Sequence, residues 1–97
     1  MKLSDKSSAG TSFHGDTITA SYNQLVEVLG KPQRAQNDGS DKSNFDWVLE
    51  TEEGVLFTVY DWKEYQRIKP NERIEWHIGA NNASDSGRAY SELIEIL

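Results

Sequence analysis

"NFDWVLETEEGVLFTVYDW" (Asn44–Trp62) decides the fold of this chain, because its turn sets which side chains face inward. Apolar and polar residues alternate on both sides of Glu52-Glu53-Gly54, the pattern of two antiparallel strands joined by a tight loop. Two loop lengths compete. A two-residue Glu53-Gly54 loop would oppose Asp46 to Asp61, like charges across the ladder, and set the Trp47/Leu49 row beside Thr58 and Tyr60. A three-residue loop with Gly54 left-handed pairs Thr51 with Val55 instead. It gathers Phe45, Trp47, Leu49, Val55, Phe57 and Val59 on one face. A slip of one residue inverts every side chain, and only this second arrangement gives one continuous apolar surface. The three-residue loop is the expectation.

Asp46, Val48, Glu50, Leu56, Thr58, Tyr60 and Trp62 then share the opposite face. If the later strand joins beside them, Arg73, Glu75 and His77 are added. The second strand runs into Tyr60-Asp61-Trp62 rather than into a Gly, Asn or Pro. Large rings among charges are the composition of protein interfaces, where Tyr, Trp and Arg carry much of the binding energy. The competing reading lays the C-terminal helix over this face and buries Leu56, Tyr60 and Trp62 as a second small core.

Upstream, "ASYNQLVEVLGKP" predicts a helix over Tyr22–Leu29. Ser21 caps it, Gln24 reaches back to close a capping box, and Gly30 and Pro32 end it. Phe13–Ala20 has the β-branched content of a strand, and residues 1–12 read as a flexible tail before a single domain over 13–97. Residues 33–44 are a polar loop. Downstream, a long connection turns at Pro70-Asn71, and "RIEWHIGA" alternates as a strand with Ile74, Trp76 and Ile78 inward. "SDSGRAYSELIEIL" predicts a second helix capped by Ser84 or Asp85, with Ser86, Tyr90, Leu93 and Leu97 on its apolar stripe and Ala89, Ile94 and Ile96 widening it. The fold class is α+β: a small, mainly antiparallel sheet of about four strands with two helices, in the order β-α-β-β-β-α.

At 97 residues and 36% hydrophobic content, the chain has one modest core and little apolar surface to spare. It has no cysteine, which excludes disulfides and cysteine-based zinc sites. Without an apolar leader or spanning run, a cytoplasmic location is the default. The net charge of −6 is uneven. Asp38, Asp41, Asp46, Glu50, Glu52, Glu53 and Asp61 face only Lys42 between residues 38 and 61, whereas Lys63, Arg67, Lys69 and Arg73 make 62–73 basic. The acidic block argues against direct nucleic-acid binding and suits a basic partner surface; the plainer reading is a solubilising surface.

Chemical motifs are few. No phosphate-cradling glycine loop or nucleophile elbow is present, and His14 and His77 lack metal-ligand spacing. No catalytic residue, metal or cofactor is assigned. "FHGDTITASYNQLVEVLGKP", "DWVLETEEGVLFTVYDWK" and "EWHIG", in that order, resemble a group of small proteins encoded by bacteriophages and prophages. The resemblance spans Phe13–Gly79; the polar 33–44 loop departs from it and the C-terminal helix lies beyond it. It implies a compact accessory protein acting inside an infected or lysogenic bacterium, by binding rather than by a known chemistry. Inhibition of a host defence system, in the manner of anti-CRISPR proteins, is one such role.

The expectation is a non-enzymatic domain that binds a host protein with a basic surface. Asp46, Glu50, Glu52 and Glu53 would steer it, and Tyr60, Trp62 and Tyr65 would supply contact area. A homo-oligomer is compatible with this. The rival is a binder of a nucleotide signal, with Tyr60 or Trp62 stacking on the base, Arg67, Lys69 and Arg73 on the phosphates, and His77 nearby. A DNA mimic, or a small hydrolase using His77, has less in its favour.

Overall fold

The computed structural model describes all 97 residues. The elements are β1 (Lys2–Leu3), β2 (Ser12–Ser21), α1 (Tyr22–Leu29), β3 (Arg34–Ala35), β4 (Phe45–Glu50), β5 (Leu56–Asp61), β6 (Arg73–Ala80) and α2 (Ala83–Ile96). Six strands form one antiparallel sheet in the order β1-β4-β5-β6-β2, with β3 also on β4. The expected α+β class holds, with β1 and β3 as short additions at the β4 edge.

The β4–β5 register pairs Trp47 with Val59 and Leu49 with Phe57. The Gly54 N–H donates to the Thr51 carbonyl at 3.0 Å, and the Thr51 N–H donates to the Val55 carbonyl at 3.0 Å. Gly54 has φ +86°, a left-handed conformation that glycine adopts without a side-chain clash. The three-residue turn is therefore the one formed. It sends Phe45, Trp47, Leu49, Phe57 and Val59 inward, all within 6% of full burial.

Both helices pack on that same inward face. Leu25 and Leu29 of α1 and Ala89 and Leu93 of α2 join the strand residues in a single core of sixteen buried apolar side chains. α1 has the capping box expected of it: the Gln24 N–H donates to Ser21 Oγ at 3.1 Å, and the Ser21 N–H donates to Gln24 Oε1 at 2.8 Å. α2 begins earlier than the sequence suggested. Asn82, not Ser84 or Asp85, is its cap, because the Asn82 backbone is extended and its Oδ1 accepts the Asp85 N–H at 2.8 Å. Ser86 of α2 is fully buried, donating to Asp16 at 2.7 Å, while Ile94, Ile96 and Leu97 stay exposed. Of the residues expected to widen the stripe only Ala89 is buried, and Leu97, expected on the stripe itself, is not.

The expected flexible tail and the polar 33–44 loop are both held. Lys2–Leu3 of the anticipated N-terminal tail pairs with Leu49 and Glu50, and the Ser4 N–H donates to the Val48 carbonyl at 2.8 Å. The 33–44 loop is pinned to the connection after β5. Asn37 holds Ile68 at both backbone groups (2.8 and 2.6 Å), and Asn44 Nδ2 donates to the Gln66 carbonyl at 2.9 Å.

Candidate functional site

The outward face of the sheet is where the chain leaves large rings uncovered. Because α2 joins the inward layer, the second core over Leu56, Tyr60 and Trp62 does not form. The three tryptophans show the contrast. Trp47 and Trp76 are fully buried, and their indole N–H groups donate to the carbonyls of Gly30 (2.8 Å) and Ala20 (2.9 Å). Trp62 is 41% exposed and makes no such bond.

Four rings meet on this face. Tyr60 and His77 are directly paired across β5 and β6, so their side chains project together. Trp62, one step past β5, packs at 6.1 Å from both His77 and Tyr60. Phe13, 42% exposed, stacks on His77 at 4.0 Å. Phe13 reaches it through an irregularity in β2 between Phe13 and Thr17, which turns the strand's start out of simple alternation. Beside the rings runs a groove of about 470 Å³ whose floor includes Val48, Thr58, Tyr60 and Gly79. A Cβ at Gly79 would lie 2.4 Å from Thr58 Oγ1, so any larger residue there makes Thr58 shift. Ser8, Thr11 and Ser12 line the groove where the N-terminal segment passes, and Gln33, Arg34, Ser43, Asp46 and Trp62 complete it.

Burial draws the His77 imidazole below its ordinary pKa, with Glu75 opposing weakly, so the ring is neutral at pH 7. Burial first, and the Asp46 charge second, push the Tyr60 hydroxyl up, so it remains a neutral donor. No hydrogen bond joins His77 to a carboxylate; its neighbours are rings. His14 Nε2 instead lies 3.1 Å from the Ala80 carbonyl. No group of three or more His, Asp or Glu side chains converges in a way that could hold a metal ion.

The charges are distributed differently from the sequence expectation. Asp46 is on the open face, but Arg34 pairs with it at 3.2 Å and also with Asp41 at 3.2 Å. Glu50 is nearly buried under the N-terminal segment, where the Ser4 hydroxyl and the Lys6 ammonium hold its carboxyl below the usual range. Glu52 and Glu53 are at the hairpin tip, about 20 Å from Trp62 along β5. There Glu53 meets Arg88 of α2 at 3.4 Å. Asp61 is fully buried on the core side, accepting the N–H groups of Asn44 and Phe45 at 2.9 Å. The acidic hairpin and the rings therefore do not form one surface.

Tyr65 is exposed with φ +49°, but it is not among the ring contacts of Trp62. Arg73 bonds to Gln24 and to the Thr19 carbonyl, about 13 Å along β6 from His77. Neither it nor Arg67 nor Lys69 lines the groove. The cations beside the rings are two others: Lys42 Nζ lies 5.8 Å, and Lys63 Nζ 5.5 Å, from the centre of the Trp62 ring. Lys63 is adjacent to Trp62 in the chain and was legible as a neighbour. Lys42 arrives through the docked loop, by a Lys63 N–H bond to the Lys42 carbonyl at 2.7 Å, which no periodicity announces. Comparison with protein-family models, curated proteins and solved structures finds no significant match to the chain.

Proposed function

We propose that this protein is a non-enzymatic binding module that engages another protein through its open sheet face, centred on Trp62. The observation that carries this is the placement of α2 on the opposite layer, which leaves Trp62, Phe13, Tyr60 and His77 as a contiguous aromatic patch beside a polar groove. Rings of this size, half exposed and already fixed by one another, offer large contact area with little side-chain freedom to lose on binding. In the phage-associated setting that the Phe13–Gly79 pattern suggests, the partner is a host protein, and its inhibition or modulation is the role. The nucleotide-sequestering alternative is weakened because Arg67, Lys69 and Arg73 lie outside the groove.

The test is a pull-down from bacterial lysate with wild type and Trp62→Ala, both checked for native circular dichroism. A protein retained by wild type and lost with Trp62→Ala supports the reading. Retention indifferent to Trp62, or to Trp62 and Phe13 together, overturns it.

A further inference from the structure

We infer that the groove beside Trp62 is a binding site for a neutral sugar, with the Trp62 ring as its stacking wall; this goes beyond the protein contact proposed above and does not rest on it. The groove and the aromatic patch share only Tyr60 and Trp62. At about 470 Å³ the groove is within the range of small-ligand sites, about 300–1,000 Å³. The charged groups in its lining are Arg34 and Asp46, which pair with each other at 3.2 Å. Its surroundings balance as well. Lys42 and Lys63 flank Trp62, but Arg34 offsets only one of Asp41 and Asp46, and exposed Glu75 lies opposite Trp62 when the β5–β6 register is continued one step. An ionic ligand of either sign gains little there, whereas a neutral polar one is accommodated.

The polar atoms left free in the groove are those a polyol needs. Gln33 spends its amide on the backbone of Ser4 and Val48, and Arg34 spends its guanidinium on Asp41, Ser43 and Asp46. Asp46 receives both of its bonds at Oδ2, so Oδ1 is free. No hydrogen bond within the chain uses the hydroxyls of Thr58 and Tyr60 or the Trp62 indole N–H. Thr58 is only 7% exposed, and its direct partner Gly79 has no side chain to cover the hydroxyl. A hydroxyl buried this far is costly unless something in the groove bonds to it. Tyr60 follows Thr58 on the same strand face, about 7 Å further along. A sugar ring carries apolar C–H groups on its face and hydroxyls round its rim. The face lies on Trp62, and the rim meets Thr58, Tyr60 and Asp46. Other neutral occupants match less. The groove floor is on β4, β5 and β6, whose backbone groups are paired in the sheet, so an extended peptide finds no free strand edge. The base of a nucleoside is read by amides at its edge, and the one amide side chain in the lining, Gln33, is taken.

The experiment titrates the full chain with cellotriose, maltotriose, mannotriose and chitotriose, followed by tryptophan fluorescence and saturation-transfer NMR. At least one of these neutral sugars should bind with a Kd below about 1 mM and shield Trp62 from acrylamide. Thr58→Val keeps the side-chain shape and removes the hydroxyl, and should weaken that sugar about tenfold. Trp62→Ala should abolish its binding. Both variants are checked by circular dichroism. Trigalacturonate, the fully deacetylated chitosan trimer and adenosine are titrated in parallel as anionic, cationic and nucleoside probes, and each should bind more weakly than the neutral sugar. Failure of all four neutral sugars to bind overturns the inference. So does binding that survives both Thr58→Val and Trp62→Ala, or any of the three parallel probes binding more tightly than every neutral sugar. None of these failures bears on the protein contact, which the pull-down judges through Trp62 and Phe13.

Discussion

Asp61 is one position beyond Tyr60 on β5, and that single step moves its carboxylate from the open face into the core. Burial pushes its carboxyl above the usual range, while the Phe45 and Asn44 N–H bonds pull the other way. Asp61→Asn keeps the shape but sets an amide against the Asn44 side-chain amide, which donates to Asp61 at 3.1 Å. The expected loss is about 1–3 kcal/mol in urea denaturation. In the sequence, Asp61 counted as one more surface acid; alternation put it on the inward side, but nothing local showed that the start of β4 would supply its donors. His77 makes the pH prediction. Its folded pKa lies below the unfolded value of about 6.5, so the unfolded chain takes up the proton first on acidification. Its contribution is intact above pH 6.5 and is lost as pH falls from there through the folded pKa. The melting temperature of wild type should therefore drop more over that interval than that of His77→Gln; equal slopes would contradict the burial of the ring.

Elements were legible where a residue's own neighbours specify them. α1 is bounded by a cap, a reciprocal Gln24 and a terminal glycine within one short stretch, and it forms over the range so predicted. Ser21→Ala removes the accepting hydroxyl and should cost about 1 kcal/mol in chemical denaturation. The hairpin was legible because only one turn length aligns its apolar residues. Gly54→Ala places a side chain at φ +86° and should destabilise by about 1 kcal/mol without changing the fold. α2 was harder. Its cap is Asn82, only two residues past the end of β6 and ahead of the serine and aspartate that the sequence also offers. The 33–44 loop was read only as polar. Its order comes from Asn37 and Asn44, whose partners lie more than twenty residues away, so no local pattern foretells it.

At the scale of the molecule, one choice separates a buried second core from a recognition surface: which side of the sheet α2 covers. Both sides were open to a reading of the chain, since the helix carries an apolar stripe and the outward face carries Leu56, Val48 and three rings. In the structure the N-terminal segment, not α2, covers part of that face, over Glu50, and Trp62 stays exposed. Gly79 keeps the groove floor low, so Gly79→Ala should drive Thr58 outward and destabilise by roughly 1–3 kcal/mol, the cost of forcing a methyl into a packed site. The most direct test of the open face is acrylamide quenching of tryptophan fluorescence in wild type and Trp62→Phe. The account predicts two classes in wild type, an accessible Trp62 and shielded Trp47 and Trp76, and a folded Trp62→Phe that has lost the accessible class. Uniformly shielded emission in wild type, or quenching unchanged by the substitution, would contradict it.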